Sequence, residues 1–389
     1  MKGREFFMLS VGIIGLGNAG NQVAMLAKKT KNIPSIAINT SERDIDVIQG
    51  YIEAILFATK EGVGKDRKLA KKFVKENIKQ LIAEDQLVKF MDQVDFIFVV
   101  SSCGGGSGSG MGPIITDVLN QYYNHNVEDG TKGKTFINVG ILPNIGESVG
   151  AQRNTLEYLT EMTALGGSYM LFDNGIVNGS SKEVFNTVNN DIVRAISIIR
   201  GDYSRETPYQ MIDDKDFYKI ITQPGMIFID YLDGIYEEKI PVDGSIEDML
   251  VDHINKNNHM VRIDRDKIVK RLAFISNLSE EVHPYFNENL PKIREIYGEP
   301  IEDYRHFSVN KDDDENNFLI VILSGLSLPE NRLKIIKHRV DSVEQALSKQ
   351  KEKSILGNVL ESVDKYNVTN EKTKQKTEFN LGSIMDKYN

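Results

Sequence analysis

Residues Ser101 to Gly112 read SSCGGGSGSGMG, and few arrangements of secondary structure can accept such a run. Just upstream, DFIFVV (Asp95 to Val100) is a β-branched and aromatic apolar run that predicts a buried parallel strand. Just downstream, PIITDVLNQYY opens on Pro113 and spaces its apolar residues as a helix does. Strand, glycine loop and helix start follow one another. Gly104, Gly105, Gly106, Gly108 and Gly110 put no side chain between the backbone and an incoming group. Their amides can converge on a phosphate at the positive end of the helix, and Ser107 and Ser109 can add hydroxyl donors. A flexible glycine-serine linker shares this composition, but linkers are not usually wedged between a buried strand and a helix. The run contains no lysine and does not fit GxxxxGK[ST], so it is a phosphate cradle of another kind.

GGGSGSG resembles the GGGTGTG/S signature of the tubulin and FtsZ family of GTPases. Other stretches resemble the same family, in its order. LSVGIIG (Leu9 to Gly15) predicts a first strand and NQVAMLAKK (Asn21 to Lys29) a helix, with GLGNAG between them. Gly15, Gly17 and Gly20 satisfy GxGxxG, the mark of a dinucleotide site. The acid that such a site needs at the end of the second strand is missing, because SIAIN ends in Asn39. GNAGNQV is instead similar to tubulin's GQCGNQI, and AINTSERD to FtsZ's AINTD. The resemblance assigns Gly17, Asn18, Ala19 and Gln22 to phosphate, Mg²⁺ and nucleoside contacts, with Mg²⁺ held through the phosphates near Asn18 and no direct side-chain ligand.

EGVGKDRKLAKKFVKENIKQLIAED (Glu61 to Asp85) predicts a tight loop entering an amphipathic helix. Lys65 and Arg67 are cations placed to sense a γ-phosphate; the other lysines read as a solvated face. KTFINVGILP (Lys134 to Pro143) predicts a strand, and Glu147 stands where FtsZ carries its ribose-binding glutamate, while Ala151 replaces the arginine that follows it. SYMLFDNGIV (Ser168 to Val177) resembles tubulin's YCIDNEAL, which places Asn174 at the guanine edge; a turn-forming asparagine before Gly175 is the other reading. Glu183 to Gly201 predicts a long helix closed by Gly201, and the resemblance puts Asn190, or Asp191 by a one-residue offset, at the second guanine contact. ITQPGMIFIDYLDGI (Ile221 to Ile235) resembles the FtsZ loop PGLINVDFADV. Asp230 and Asp233 then become two catalytic acids at a helix start, unless they only complement its dipole.

The expected architecture is α/β. A Rossmann-like parallel-sheet GTP-binding domain with a long central helix spans 1–201, a smaller α/β domain 202–328, and a C-terminal helix and tail 329–389. RLAFISNL (Arg271 to Leu278) and NFLIVILSGL (Asn317 to Leu326) supply strands of the second domain. Hydrophobic content of 40% and charged content of 26% suit a soluble globular chain, and a net charge of −9 argues against binding nucleic acid over the whole surface. A single cysteine, Cys103, excludes an intrachain disulfide framework and fits a reducing cytoplasm. No apolar stretch reaches the ~18 residues of a membrane span, and MKGREFFMLSVGIIG reads as a first strand, not a signal peptide.

The resemblance implies a GTPase of the plasmid- and phage-type tubulins, using GTP/GDP and Mg²⁺ and polymerising head to tail. Its expected partners are its own copies and, through the tail, a DNA-binding adaptor or phage component. Phe379, Leu381, Ile384, Met385 and Tyr388 close that polar tail as a small apolar set. A cell-division filament protein and a nicotinamide-dependent enzyme using GLGNAG are the alternatives.

Overall fold

The structure, a computed structural model, describes residues 9–57, 61–125, 133–202, 212–234, 246–264, 268–310 and 317–353. The apolar set at the end of the tail lies outside the described residues. The chain first alternates strand and helix: β1 (Val11–Leu16), α1 (Gly17–Lys31), β2 (Ser35–Asn39), α2 (Glu42–Asp46), β3 (Glu53–Leu56), α3 (Arg67–Ala83), α4 (Asp85–Met91), β4 (Phe96–Ser102), α5 (Ser107–Asn124), β5 (Thr135–Leu142), α6 (Val149–Ala164), β6 (Ser168–Asp173) and α7 (Ser181–Arg200). Then come α8 (Asp214–Thr222), β7 (Gly225–Asp233), α9 (Ile246–Asn257), β8 (Val269–Ser279), α10 (Val282–Glu288), α11 (Leu290–Tyr297), β9 (Pro300–Asn310), β10 (Phe318–Leu326) and α12 (Glu330–Lys353).

The strands form a ten-stranded sheet in the order β3-β2-β1-β4-β5-β6-β7-β10-β8-β9. Pairing is parallel from β3 to β7, β10 is antiparallel to β7 and β8, and β9 returns parallel to β8. β6 and β7 share a short register, Ser168↔Gly225 to Met170↔Ile227, where the two parts of the sheet join. In the parallel part, helices cover both faces. Val11 and Ile13 of β1 enter one core, whereas Ile14 and Leu16 enter the other with α3, α4 and α5. Strands buried on both faces must be apolar throughout, which explains FIFVV and VGIIGL.

α7 is capped reciprocally by Ser180 and Glu183 and ends at Gly201, whose φ of 96° lies in the left-handed region. Its inward stripe includes the fully buried Val188, Ile192, Ile196 and Ile199. Each such side chain contributes on the order of 1.5–3 kcal/mol, which holds this helix against the sheet.

Two expectations change, and one strand is found where the sequence reading named none. α5 begins at Ser107, so the glycine run is itself the first helical turn and Pro113 lies inside the helix. The stretch expected to be an acidic loop at a helix start is instead β7, preceded by the short α8. Finally, β9 carries Glu302, Asp303 and Arg305 and has no apolar signature. It sits at the sheet edge, where Arg271 pairs with Glu302 and Arg294 with Asp303, and an edge strand with one open side does not need an apolar sequence.

Candidate functional site: a three-loop cradle

Three loops meet at the carboxyl ends of β1, β4 and β5. The close approach of backbones explains the glycines. A Cβ on Gly20 would overlap the Val100 carbonyl, so its absence lets α1 lie against β4. Gly17 has φ 68°, and a Cβ there would sit 2.9 Å from the Gly108 amide; a Cβ on Gly108 would sit 2.9 Å from the Leu16 carbonyl. A Cβ on Gly106 would lie 2.6 Å from Lys65 Cα, and one on Gly110 would lie 2.7 Å from the Arg67 carbonyl. Gly105 differs, because its nearest neighbour would be Ser102 at 3.8 Å. Five glycines of the two motifs, Gly17, Gly20, Gly106, Gly108 and Gly110, therefore admit backbone, and Gly105 leaves open space.

Two helix N-termini point into this junction. α3, α6, α7 and α8 are capped by the side chains of Asp66, Ser148, Ser180 and Asp213. α1 and α5 have no side-chain cap and no acid in the first turn. Their first-turn amides have no intrahelical acceptor, and both dipoles favour an anion. Thr40 Oγ1 and Ser107 Oγ lie 2.8 Å apart, tying the loop after β2 to the glycine loop. The fully buried Asn21 braces the first loop. Its amide nitrogen donates to the Gly15 and Gly17 carbonyls at 3.0 Å, and its oxygen accepts from Asn39 Nδ2 at 2.8 Å. Asn39 also accepts from the amides of Thr40 and Ser41. This network occupies the place where a dinucleotide site would need an acid. The sequence reading missed Asn21; its only signal was an asparagine among buried apolar neighbours in α1.

Asn18 is exposed and accepts from Gln22 Nε2 at 3.1 Å, with Ala19 half-buried beside them. Lys65 is exposed in the left-handed region, φ 71°, between Gly64 and Asp66. Asn154 Nδ2 donates to the carbonyls of Lys65, Gly104 and Gly105 at 3.2–3.3 Å, closing the gap between those two loops. Glu147 accepts from the Asn144 amide at 3.1 Å. Asn174 is buried, and its Oδ1 has no hydrogen-bond partner among the described residues. A buried acceptor of this kind fits a ligand donor such as a purine N–H.

Several site expectations need correction. Arg67 is buried, and its guanidinium is spent on Glu157, Glu161 and the Ser109 carbonyl, so it does not face a phosphate. Burial alone would raise the Glu161 carboxyl, but hydrogen bonds from Arg67 and Lys71 outweigh it and hold that group below the usual glutamate range. Ser109 is fully buried and donates its hydroxyl to the Gly105 carbonyl, so it braces the loop from within. Asn190 is exposed and donates to Asn186 at 2.7 Å, whereas Asp191 pairs with Arg194 and His259; the buried polar residue of that turn is Asn189. Cys103 is fully buried, and burial pushes its thiol far up, which makes it an inert packing residue.

Asp230 and Asp233 also move. Asp230 is 0% exposed on β7, where its carboxylate accepts from Tyr297 Oη at 2.6 Å and Asn258 Nδ2 at 2.9 Å. Strand side chains alternate, so residues three apart lie on opposite faces. β7 runs parallel to β6 from Ser168↔Gly225, which places Asp230 late in its strand, toward the glycine-loop end of the sheet. The geometry expected of the pair occurs elsewhere. Asp213 caps α8 by accepting from the Asp216 amide at 2.8 Å, with exposed Asp214 between them. α8 lies at the amino ends of the strands. Tyr218 packs on Phe96 with ring centroids 5.7 Å apart, and Ser168 Oγ donates to the Gln223 carbonyl at 3.0 Å. These acids and the glycine loop occupy opposite ends of the sheet.

Comparison with known proteins agrees with this geometry. Residues 10–181, which contain all three loops, match the family model described as Tubulin/FtsZ family, GTPase domain. The tubulin-like protein TubZ of Clostridium botulinum C phage is 31% identical over 143 residues, 37% of this chain and 37% of that protein. The tubulin-like protein CetZ5 of Haloferax volcanii is 27% identical over 207 residues, 49% of this chain and 50% of that protein. The chain thus spans about half or less of the length of these two relatives. In fold, a GTPγS-form protofilament of Bacillus thuringiensis serovar israelensis TubZ matches with a TM-score of 0.69 at 16% identity, over 88% of this chain and 95% of that one. No helix among the described residues is long and apolar enough to cross a membrane. Residues 10–181, whose loops build the cradle, are thus similar to the GTPase domain of the Tubulin/FtsZ family.

Proposed function

We propose that this protein is a GTPase that stacks head to tail with its own copies, each subunit completing the site of the next. The observation that carries this reading is the division of the chemistry between two ends. An anion cradle with two uncapped helix N-termini stands at one end of the sheet, and the carboxylates of exposed Asp213 and half-buried Asp216 at the start of α8 stand at the other. Stacked copies bring Asp213 and Asp216 of one subunit to the cradle of the next, where a carboxylate can orient or polarise water.

Gly17, Asn18, Ala19 and Gln22 would receive the phosphates together with the amides of Gly104–Gly108, with Lys65 at the outermost one. Mg²⁺ would be held through the phosphates beside Asn18, where it offsets their charge. Glu147 faces the ribose side, and Asn174 with Asn189 faces guanine, whose O6 and N1–H suit an amide's donor and acceptor. The B. thuringiensis TubZ structure, a GTPγS-form protofilament, supports both the nucleotide and the stacking. Kinship with a phage protein supports positioning of plasmid or phage DNA through an adaptor at the tail. A cell-division role is the second reading.

GTP turnover per subunit is expected to rise with protein concentration, and excess ATP should not displace GTP. Asp213→Ala with Asp216→Ala should retain GTP binding and lose turnover. Wild-type turnover in that variant would refute the shared site, and ATP binding as tight as GTP would refute the guanine assignment.

A further inference from the structure

We propose that Arg332, on the C-terminal helix α12, is a positioning residue for the nucleotide. It fixes the two loops that face the nucleoside and so couples docking of α12 to occupancy of the site. This rests on the nucleotide-binding reading above.

α12 places Arg332, Leu333, Ile336, Arg339 and Val340 on one face through spacings of three and four. Ile336 is fully buried and Val340 nearly so. Two arginines thus enter an apolar stripe, where a guanidinium is tolerated only if its donors are matched. Arg332 is matched on two loops at once. Its Nε and Nη2 donate to the two oxygens of Asp173 at 2.5 and 3.0 Å, and Nη2 also donates to the Pro143 carbonyl at 2.9 Å. Leu142 and Asp173 are register partners at the ends of β5 and β6, so one planar cation clamps the ends of two neighbouring strands.

The consequence reaches the candidate ligand contacts. Asp173 Oδ1 also accepts from the Gly175 amide at 2.7 Å, which sets the turn that carries Asn174. Two helical turns along, Arg339 Nη2 donates to the Glu147 carbonyl at 3.1 Å, and Glu147 in turn holds the Asn144 amide. At the start of the helix, Asp264 accepts from the Glu330 amide and from Asn331 Nδ2, both at 2.7 Å. Residues 143–148 and 173–175 are therefore shaped by α12 as well as by their own strands.

A second observation points to a ligand. Among the described residues, the buried atoms without a hydrogen-bond partner include Asn174 Oδ1 and Gln152 Oε1. Asn174 lies on one gripped loop, and Gln152 donates to the Asn144 carbonyl on the other at 2.8 Å. A guanine edge or a ribose hydroxyl supplies donors of the kind that these two buried acceptors lack. If one loop shape serves both α12 and the nucleotide, each must favour the other, because coupling between two binding equilibria is reciprocal.

The test is titration of the full chain with a fluorescent GDP analogue, for wild type, Arg332→Ala, Arg332→Lys and Lys334→Ala. Lys334 is on α12 but largely exposed and, among the described residues, pairs with Glu330 at 3.7 Å. Arg332→Ala should weaken binding by about tenfold. Arg332→Lys should recover only part of it, since an ammonium cannot clamp two loops in one plane, and Lys334→Ala should match wild type. Hydrogen exchange on wild type supplies the reverse measurement: GDP should slow amide exchange in residues 330–340, and this needs no variant to fold. Equal affinity in Arg332→Ala, or exchange in α12 indifferent to GDP, overturns the coupling. Failure of wild type to bind the GDP analogue at all would instead overturn the nucleotide-binding reading.

Discussion

Arg67 Nε donates to the carbonyl oxygen of Ser109 at 3.2 Å, and this is the carbonyl that Pro113, four residues on, leaves without an amide. A proline inside α5 thus creates an acceptor deep beneath the glycine loop, and a buried arginine from α3 fills it. The same guanidinium holds Glu157 and Glu161 of α6. Three helices are pinned under the cradle by one side chain.

Arg67→Ala should therefore act on stability. It strips Glu157 and a buried carbonyl of their partner and leaves Glu161 with Lys71 alone, a loss of about 3 kcal/mol. Lys65→Ala, two residues away and exposed, should leave denaturant unfolding unchanged and weaken triphosphate binding relative to diphosphate. Chemical denaturation alongside GTP and GDP titrations separates the two; a phosphate-selective defect in a fully stable Arg67→Ala protein would reverse the assignment.

The Glu161 carboxyl is held below its ordinary value by Arg67 and Lys71. A depressed folded-state pKa stabilises the fold above the unfolded value of about 4.3. That stability is lost as pH falls through the folded value. Glu161→Gln should thus be less stable than wild type at pH 7, and the two curves should converge only as pH falls below the depressed folded value. A difference that persists unchanged at low pH would show that the charge is not what Arg67 reads.

The glycines should separate into two groups. Gly20→Ala and Gly108→Ala push a Cβ into backbone carbonyls and should fold poorly. Gly105→Ala meets nothing closer than 3.8 Å and should keep the wild-type melting temperature, while the added methyl crowds the phosphate side and lowers nucleotide affinity. Melting curves and nucleotide titrations on the three variants decide this; an unstable Gly105→Ala would show that its role is packing too.

Asp230 should behave as a structural carboxylate. Tyr297→Phe removes a hydrogen bond to a buried carboxylate, costing about 1.5–3 kcal/mol, and Asp230→Ala takes the acceptor from Tyr297 Oη and from one of the two hydrogens of Asn258 Nδ2, at about 3 kcal/mol. The two should be strongly non-additive in a double-mutant cycle. GTP turnover at saturating nucleotide should survive Tyr297→Phe, and a selective loss of turnover there would return Asp230 to the chemistry.

The sequence by itself determined the parallel sheet and the glycine loop between β4 and α5. Apolar strands buried on both faces and glycine runs at strand ends are local signals, because burial and backbone approach are written at the positions that need them. DFIFVV, GGGSGSG and the helix closing at Gly201 were legible for that reason. Which polar side chains face the ligand was decided only by tertiary structure. Arg67 and Lys65 are both cations in one loop, yet packing on α5 and α6 buries the first and leaves the second exposed. Asn189 and Asn190 are the same residue type, and the rotation of α7 between them turns one inward and the other out. Asp230 and Asp213 both carry a second acid three residues on. Only the pairing of β7 with β6 and β10 showed that the first is buried in the sheet and the second caps a helix at its far end. Nor could the reach of Arg332 to Asp173 be read from sequence, because 159 residues of chain separate a clamp from what it holds.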